Sequence, residues 1–251
     1  MLLAVDVGNT NTVLGLFDGE RLFESYRIKT DPRVTADELA LMFRGLLQAH
    51  PEPDGVAVCS TVPAVLNELR LMFQRYFADV PTVVVGPGVR TGVPLLYDNP
   101  REVGPDRVVN TLAAATLYGG PAIVVDFGTS TNFDVVSEKG EFLGGALAPG
   151  IEISVDALAA RAARLFKVEL KRPRSVIGKT TNEALQSGLL YGFAGQVDGM
   201  VRRISAELDD DPTVIATGGL SHLMVSVCDT LDIHEPDLTL HGLRLVWERN
   251  R

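Results

Sequence analysis

The chain has 251 residues, 46% of them hydrophobic and 22% charged, which are ordinary values for a globular protein. This length suits one large domain or two domains of about 125 residues each. The formal net charge of −9 argues against nucleic acid as a main partner. No apolar run reaches the about 18 residues that a membrane span needs, so we expect no membrane segment.

The cysteines and the first residues favour a cytoplasmic protein. Cys59 and Cys228 are too few for a disulfide framework, and their apolar surroundings indicate reduced thiols in the core. Met1 leads directly into a predicted strand, with neither a basic segment nor a cleavage site, so we expect no secretory signal.

The first half of the chain predicts three strands and then alternating helices and strands. The three strands are expected at residues 2–7, 12–17 and 21–29. Thr35 and Glu38 form a capping box that starts a helix, and Pro63 starts a second helix. Two more strands are expected at residues 55–60 and 81–85. The resulting order, β-β-β-α-β-α-β, is that of a ribonuclease-H-like unit.

The second half repeats this order. Strands are expected at residues 122–125, 132–136, 142–147 and 213–216, and helices at residues 151–166 and 181–208. A short helix and a final strand are expected to close the chain. We therefore predict an α/β protein of two duplicated ribonuclease-H-like domains, residues 1–117 and 118–251.

The same motif occurs at the start of each half. Asp6-Val7-Gly8-Asn9-Thr10-Asn11 and Asp126-Phe127-Gly128-Thr129-Ser130-Thr131 each lie between two apolar runs. In such a turn the glycine lets backbone N–H groups approach a phosphate, the hydroxyls donate to its oxygens, and the carboxylate can hold a metal ion. One glycine turn is weak evidence, but two at matched positions indicate a duplicated fold with a nucleotide between its halves.

A long loop connects the two halves. Residues 86–107 are rich in glycine and proline and contain Tyr97-Asp98-Asn99-Pro100 and Gly104-Pro105-Asp106-Arg107, which opens a helix. A loop of this length within a compact protein is either disordered or functional. A tyrosine, an aspartate and an arginine beside a helix N-terminus favour the functional interpretation.

These segments resemble the type III pantothenate kinases, which belong to the superfamily of sugar kinases, actin and heat-shock chaperone ATPases. Three more segments carry the resemblance: Gly144-Gly145-Ala146-Leu147-Ala148-Pro149-Gly150, Thr181 before Gln186-Ser187-Gly188, and Thr217-Gly218-Gly219. The motifs follow the family's order over essentially the whole chain. The chain departs from the family's pattern at Pro105 and Ser130, where alanine is common. Pro105 fixes the backbone just before Asp106 and can shift that carboxylate slightly.

Asp6 begins a run of polar residues that no hydrophobic role explains. The simplest alternative is a strand-end aspartate that caps its own turn. We favour Mg²⁺ and phosphate handling, with Asp6 holding the ion directly or through water. The expected ATP phosphate-binding residues of this turn are Asp6, Gly8, Asn9, Thr10, Asn11 and Thr12.

Asp106 can be explained as a helix-capping acid, but an arginine in the first helical turn opposes the helix dipole. The resemblance implies that Asp106 is the general base for the primary hydroxyl of pantothenate. It also implies that Arg107 pairs with the pantothenate carboxylate, which suits the fork of a guanidinium group. The substrate site implied by the resemblance comprises Tyr97, Gly104, Pro105, Asp106, Arg107 and Thr181.

The second turn has a different implied role. In the family, the aspartate at the position of Asp126 contributes to a monovalent cation site for K⁺ or NH₄⁺, and the threonine at the position of Thr129 contacts ATP. A buried carboxylate beside a triphosphate needs a compensating cation, so this assignment is physically reasonable.

Four glycines lie on one face of the long predicted helix: Gly188, Gly192, Gly195 and Gly199. Each costs up to about 1 kcal/mol relative to alanine, so the stripe indicates close packing against another backbone. That backbone can belong to the same subunit. The resemblance favours a homodimer whose active site is completed across two subunits, with Thr181 reaching pantothenate at the interface.

The expected activity is transfer of the γ-phosphoryl group of ATP to pantothenate, with Mg²⁺ and a monovalent cation. One alternative is a nucleotide-binding regulatory protein of the accessory transcription factor type, without efficient turnover. The intact Asp106-Arg107 pair argues against it. A phosphatase of phosphate chains or a chaperone-like ATPase is the other alternative, although 251 residues leave no room for a chaperone's substrate domain.

Overall fold

The structure is a computed structural model, and it describes residues 1–161 and 168–251. The chain forms two compact units. The first comprises Met1–Val93, Asp98–Ala113 and Leu238–Arg251, and the second comprises Pro94–Tyr97 and Ala114–Asp237. The domain limits expected at residues 117 and 118 stay a prediction. Within the described ranges, every helix is too short or too polar to cross a membrane.

The first unit is built on a five-stranded mixed sheet in the order β3-β2-β1-β4-β5. Its strands are β1 (Leu2–Val7), β2 (Asn11–Asp18), β3 (Arg21–Lys29), β4 (Gly55–Ser60) and β5 (Thr82–Val84). The central strand β1 is antiparallel to β2 and parallel to β4. Because β1 and β4 run in the same direction, their carboxyl ends meet at one edge of the sheet.

Two helices cover one face of this sheet and bury its core. They are α1 (Ala36–Leu47) and α2 (Pro63–Tyr76). The predicted capping box is confirmed, since the Thr35 side chain accepts the N–H of Glu38 and the Glu38 carboxylate accepts the N–H of Thr35. The buried core includes Leu39, Phe43 and Leu69. A short 3₁₀ turn (Pro100–Glu102) precedes α3 (Pro105–Leu117).

The second unit repeats the arrangement. Its sheet has the order β10-β9-β6-β7-β8. The strands are β6 (Ala122–Phe127), β7 (Ser130–Val136), β8 (Phe142–Pro149), β9 (Thr213–Thr217) and β10 (Ile233–His234). Its helices are α4 (Ile151–Arg161), α5 (Thr181–Leu208) and α6 (Ser221–Met224). Read from β8, this is the same strand order as in the first unit, so the predicted duplicated α/β fold is confirmed.

Most of the predicted elements are confirmed within a few residues, and one prediction extends past the described range. The helix expected over residues 151–166 is described as far as Arg161, and its last five residues lie outside the described residues. The long helix over residues 181–208 has the predicted bounds.

The short helix and the strand expected after residues 213–216 are present as α6 and β10, but the prediction that this strand closes the chain is wrong. The last element is helix α7 (Leu238–Asn250), which belongs to the first unit. Two pairs of leucines, Leu238 with Leu240 and Leu243 with Leu245, are spaced two residues apart, which imitates the period of a strand. Tertiary packing decides for the helix, because a Cβ at Gly242 would overlap the backbone carbonyl of Val109 on α3. The glycine therefore allows the two helix backbones to approach closely.

Candidate active site

Strand pairing places Asp6 at the polar end of the first sheet. Asp6 is the penultimate residue of β1, opposite Val13 on β2 and Cys59 on β4. The turn that follows is tight, since the N–H of Gly8 donates to the carbonyl oxygen of Asn11 at 3.0 Å. A Cβ at Gly8 would lie 3.2 Å from that oxygen, so the turn leaves little room for a side chain.

The environment of Asp6 disfavours the charged form of its carboxyl group. Burial raises its pKa from 3.8 to about 6, and the nearby carboxylate of Asp106 raises it as well. The Cys59 thiol, which donates to Oδ1 of Asp6 at 3.1 Å, lowers that pKa, as does the charge of Arg27. The loss of hydration outweighs these favourable contacts, so the charged form of Asp6 is costly in the absence of a cation.

Asp106 lies in the first turn of α3, directly after Pro105. Proline suits this first helical position because its fixed φ matches the helix and its missing N–H would have no intrahelical partner. A Cβ at Gly104 would overlap Oδ1 of Asp106, so Gly104 makes room for the carboxylate. Burial raises the pKa of Asp106, while the backbone N–H and the charge of Arg107 lower it.

Arg107 is buried, with 8% of its surface exposed. Its N–H donates to the carbonyl oxygen of Gly104 at 3.1 Å, and its own carbonyl oxygen accepts the hydroxyl of Thr111 at 2.9 Å. The first unit thus brings together two carboxyl groups, Asp6 and Asp106, with a buried guanidinium group beside the second.

The residues of the first turn differ in what they can offer to a ligand. Asn9 and Thr10 are exposed at the tip of the turn. Thr12 is buried, and its hydroxyl shares a 2.9 Å hydrogen bond with the hydroxyl of Thr30. The N–H of Thr30 also donates to the carbonyl oxygen of Thr10 at 3.0 Å, which ties the turn to the end of β3.

The second unit contains the equivalent turn after β6. Asp126 is again the penultimate strand residue, opposite Asn132 on β7 and Thr217 on β9. The N–H of Gly128 donates to the carbonyl oxygen of Ser130 at 3.0 Å. Gly218 has a φ of +90°, and a Cβ there would overlap Oδ1 of Asp126. The Asp126 carboxylate therefore lies in a cradle of glycine backbone that a larger residue would fill.

The remaining predicted residues also lie in the second unit. Thr129 is exposed, and its carbonyl oxygen accepts the N–H of Gly150 at 3.0 Å. The ring centroid of Tyr97 lies 5.9 Å from that of Phe142, so this tyrosine packs partly against its own unit. Thr181 is exposed as the first residue of α5.

Within the described residues, the α5 glycines do not pack against another backbone of the same chain. A Cβ at Gly188, Gly192, Gly195 or Gly199 would meet no described atom within 4 Å outside the helix's own backbone and its immediate neighbours. The alternative of close packing inside one subunit is therefore wrong for the described residues. The stripe is an open face of the helix.

Neither turn forms a complete metal site by itself. Among residues 1–161 and 168–251, no group of three or more His, Cys, Asp or Glu side chains is arranged to hold a metal ion. An ion at Asp6 would need ligands from water and from a bound phosphate. This is the usual situation of Mg²⁺ in phosphoryl-transfer enzymes, which binds one or two carboxylates together with substrate oxygens.

Cys59 is the residue that sequence reasoning missed. It was expected to be a core thiol, and it is indeed free and fully buried. Its hydrogen bond to Asp6 was not expected. The signal lay in the strand register, because β1 and β4 each have six residues and each ends at a polar turn.

Comparison with known proteins gives a consistent result. The family model described as type III pantothenate kinase matches residues 2–203. The type III pantothenate kinase of Frankia alni is 68% identical and covers 100% of both chains. The type III pantothenate kinase of Streptomyces coelicolor is 61% identical and covers 100% of this chain and 98% of its own.

Solved structures with low sequence identity share the fold. The ROK hexokinase of Thermus thermophilus has a TM-score of 0.54 at 14% identity, covering 100% of this chain and 99% of its own. Component A of (R)-2-hydroxyglutaryl-CoA dehydratase from Acidaminococcus fermentans has a TM-score of 0.58 at 12% identity, with the same coverage. At these identities the likeness concerns the fold alone.

The raised pKa of Asp6 predicts that Asp6→Asn stabilises the metal-free protein at neutral pH. A folded-state pKa near 6 against 3.8 means that the acid favours folding below about pH 4, and that this contribution is lost as the pH rises through 6. At pH 7.5 the variant should gain about 1–2 kcal/mol in free energy of unfolding. At pH 4 the gain should nearly vanish. Urea unfolding in EDTA measures both values.

The exposed Asp18, the last residue of β2, provides the matched control, and Asp18→Asn should show no comparable pH-dependent gain. A stability difference for Asp6→Asn that is the same at pH 4 and pH 7.5 would contradict the burial argument.

Proposed function

This chain belongs to the type III pantothenate kinase family, and we propose that Asp6, Asp106 and Arg107 carry the chemistry of its phosphoryl transfer. The reaction moves the γ-phosphoryl group of ATP to pantothenate and gives 4′-phosphopantothenate, the first step of coenzyme A synthesis. The observation that carries the assignment is the pair of half-buried carboxyl groups with raised pKa, Asp6 and Asp106, with Arg107 beside Asp106. The regulatory alternative is not favoured, because the full-length relatives are named as kinases.

Asp106 is the proposed general base. Burial raises the pKa of its carboxyl group, and a raised pKa makes the carboxylate a better proton acceptor near neutral pH. It would accept the proton of the pantothenate hydroxyl as that oxygen bonds to phosphorus. Because the transition state of phosphoryl transfer is loose, holding the hydroxyl in line matters more than basicity.

Arg107 is the proposed partner of the pantothenate carboxylate. Its guanidinium group is buried, so a paired anion there is shielded from water and strongly bound. Gly104 and Pro105 shape the start of α3 around both side chains. On the resemblance to the family, we also propose Tyr97 and Thr181 as substrate-binding residues.

Asp6 is the proposed carboxylate partner of Mg²⁺-ATP. The residues fit a divalent cation, because the pKa of both carboxyl groups is raised and the charge of Asp106 disfavours ionisation of Asp6. When bound, the ion would neutralise phosphate charge. The turn itself would bind phosphate oxygens through backbone N–H groups after Gly8, whose own N–H already donates to Asn11, and through the side chain of the exposed residue Thr10. The buried Thr12 hydroxyl is already bonded to Thr30, so Thr12 would contribute its backbone.

Asp126 is the proposed ligand of a monovalent cation, K⁺ or NH₄⁺, and Thr129 the proposed contact to ATP. The glycine cradle around the Asp126 carboxylate supports the first assignment, since Gly218 keeps a Cβ away from Oδ1 of that carboxylate. A monovalent ion there would offset the charge of the aspartate near the nucleotide. The exposure of Thr129 at the tip of its turn supports the second assignment.

We further propose a cytoplasmic homodimer that associates through α5. The open glycine face supports this, because glycines without a neighbour among the described residues leave room for the backbone of a second copy. Thr181 begins the same helix, which supports a role for it near the proposed interface.

Replacing the proposed base should abolish most of the turnover. We expect Asp106→Asn to lower kcat by about 100-fold or more, because the amide cannot accept the hydroxyl proton. Purified protein with ATP, Mg²⁺, K⁺ and pantothenate provides the assay. The exposed Asp79 gives the matched control, since Asp79→Asn should keep wild-type kcat. Full activity of Asp106→Asn would rule out the assignment.

If Arg107 binds the pantothenate carboxylate, replacing Arg107 should reduce the preference for pantothenate over an acceptor without that carboxylate. Wild-type protein should prefer pantothenate to its alcohol analogue, which lacks the carboxylate, by roughly tenfold or more in kcat/KM. Arg107→Gln should reduce this preference towards one by losing activity on pantothenate only. The exposed Arg70 supplies the control, Arg70→Gln. Equal losses on both acceptors would show that Arg107 does not bind the carboxylate.

The dimer proposal is tested on the glycine face. Gly192→Leu should convert the dimer to monomer in light scattering, because the new side chain would block the approach of a second backbone. The monomer should tolerate it, since no described atom lies within 4 Å of the new Cβ. Gly45→Leu, at an equally open position on α1, should leave the mass unchanged. A monomeric wild type would exclude the proposed interface.

A further inference from the structure

Cys59 contacts the proposed ATP site, yet the mechanism above gives it no task. It is the penultimate residue of β4, in register with Asp6 on the neighbouring parallel strand. Its side chain is fully buried, and its Sγ lies 3.1 Å from Oδ1 of Asp6. The fold therefore holds the Cys59 thiol within hydrogen-bonding distance of the Asp6 carboxylate.

Strand pairing leaves the two side chains little freedom. Residues in register on adjacent strands project to the same face of a sheet, and the ladder between β1 and β4 runs from Leu2 to Val7 without a shift. Burial and the carboxylates of Asp6 and Asp106 raise the pKa of the Cys59 thiol well above its ordinary value. The thiol keeps its proton and acts as the donor in this pair.

We propose that Cys59 is a positioning residue for Asp6, whose thiol fixes Oδ1 so that the other carboxylate oxygen faces the bound nucleotide. This inference rests on the proposed role of Asp6 at the ATP phosphates. A thiol is a weak hydrogen-bond donor, so it orients the carboxylate while leaving most of the negative charge available to a cation. A hydroxyl at this position would orient it in the same way.

The duplicated half of the chain supports the inference. Asp126 is paired in register with Thr217 on β9, as Asp6 is paired with Cys59 on β4. Thr217 is buried, with 1% of its surface exposed. Both sheets therefore place a side chain that carries a donor hydrogen opposite the turn aspartate, where packing alone would accept an apolar residue.

Two substitutions separate positioning from packing. Cys59→Val keeps a similar volume but has no donor, whereas Cys59→Ser keeps a donor in a smaller and more polar side chain. Positioning predicts that the valine variant loses roughly tenfold in kcat with an unchanged KM for pantothenate, and that the serine variant retains most activity. A role in packing alone predicts the reverse order, with valine at least as active as serine.

A binding measurement gives a second readout that does not depend on turnover. Calorimetric titration with ADP and Mg²⁺ should show a several-fold weaker affinity for Cys59→Val and a nearly wild-type affinity for Cys59→Ser. Thermal unfolding checks that each variant is folded. If Cys59→Val does not fold, Cys59→Ala takes its place with the same expected losses.

Two controls isolate the contact. Cys228→Val changes the other, partly exposed cysteine and should leave kcat unchanged. In an Asp6→Asn background, Cys59→Val should cause no further loss of Mg²⁺-ADP affinity, because the oriented carboxylate is already gone.

Failure of the inference and failure of the proposed function give different results. If the wild-type protein is active, and Cys59→Val has the same kcat and the same Mg²⁺-ADP affinity as the wild type, the role of Cys59 alone is overturned. An inactive wild-type protein, or full activity of Asp6→Asn, would overturn the proposed role of Asp6 and this inference with it.

Discussion

The parallel pairing of β1 with β4 is the constraint on which the polar site of the first unit depends. It aligns the carboxyl ends of two buried strands, so that Asp6 and Cys59 project side by side where both strands end. An antiparallel neighbour would place a strand beginning at this edge instead. The same pairing of β6 with β9 sets Asp126 beside Thr217 in the second unit. In each sheet, polar side chains therefore lie at the carboxyl ends of strands that are otherwise mostly apolar.

The pair of carboxyl groups in the first unit is unfavourable for the empty protein. Asp6 and Asp106 both lose hydration, and the charge of Asp106 makes ionisation of Asp6 more difficult. Arg107 offsets part of this charge at Asp106, while Asp6 receives only a weak thiol donor and the charge of Arg27. A bound cation would remove the repulsion. The carboxyl pair therefore lowers the free energy of unfolding, and a metal-nucleotide complex can complete the site. Such a loss of stability is common at functional positions.

Much of the fold and of the site could be predicted from the sequence, because apolar runs, a capping box and repeated glycine turns are local signals. The strands Arg21–Lys29 and Gly55–Ser60 have their predicted bounds. Helix α7 could not be predicted, since its leucines spaced two residues apart imitate a strand and its packing on Val109 is a tertiary effect. The contact of Cys59 with Asp6 depends on the register of strands 53 residues apart, which no local pattern encodes.

The central claim is that Asp6 and Asp106 form one electrostatic unit, and a double-mutant cycle on the free energy of unfolding tests it directly. In EDTA at pH 7.5, the account predicts that Asp6→Asn and Asp106→Asn together stabilise by less than the sum of the single effects, because either change already removes the mutual repulsion. The shortfall should be about 1 kcal/mol. Additive effects of the two substitutions would show that the carboxyl groups do not interact and would contradict the account.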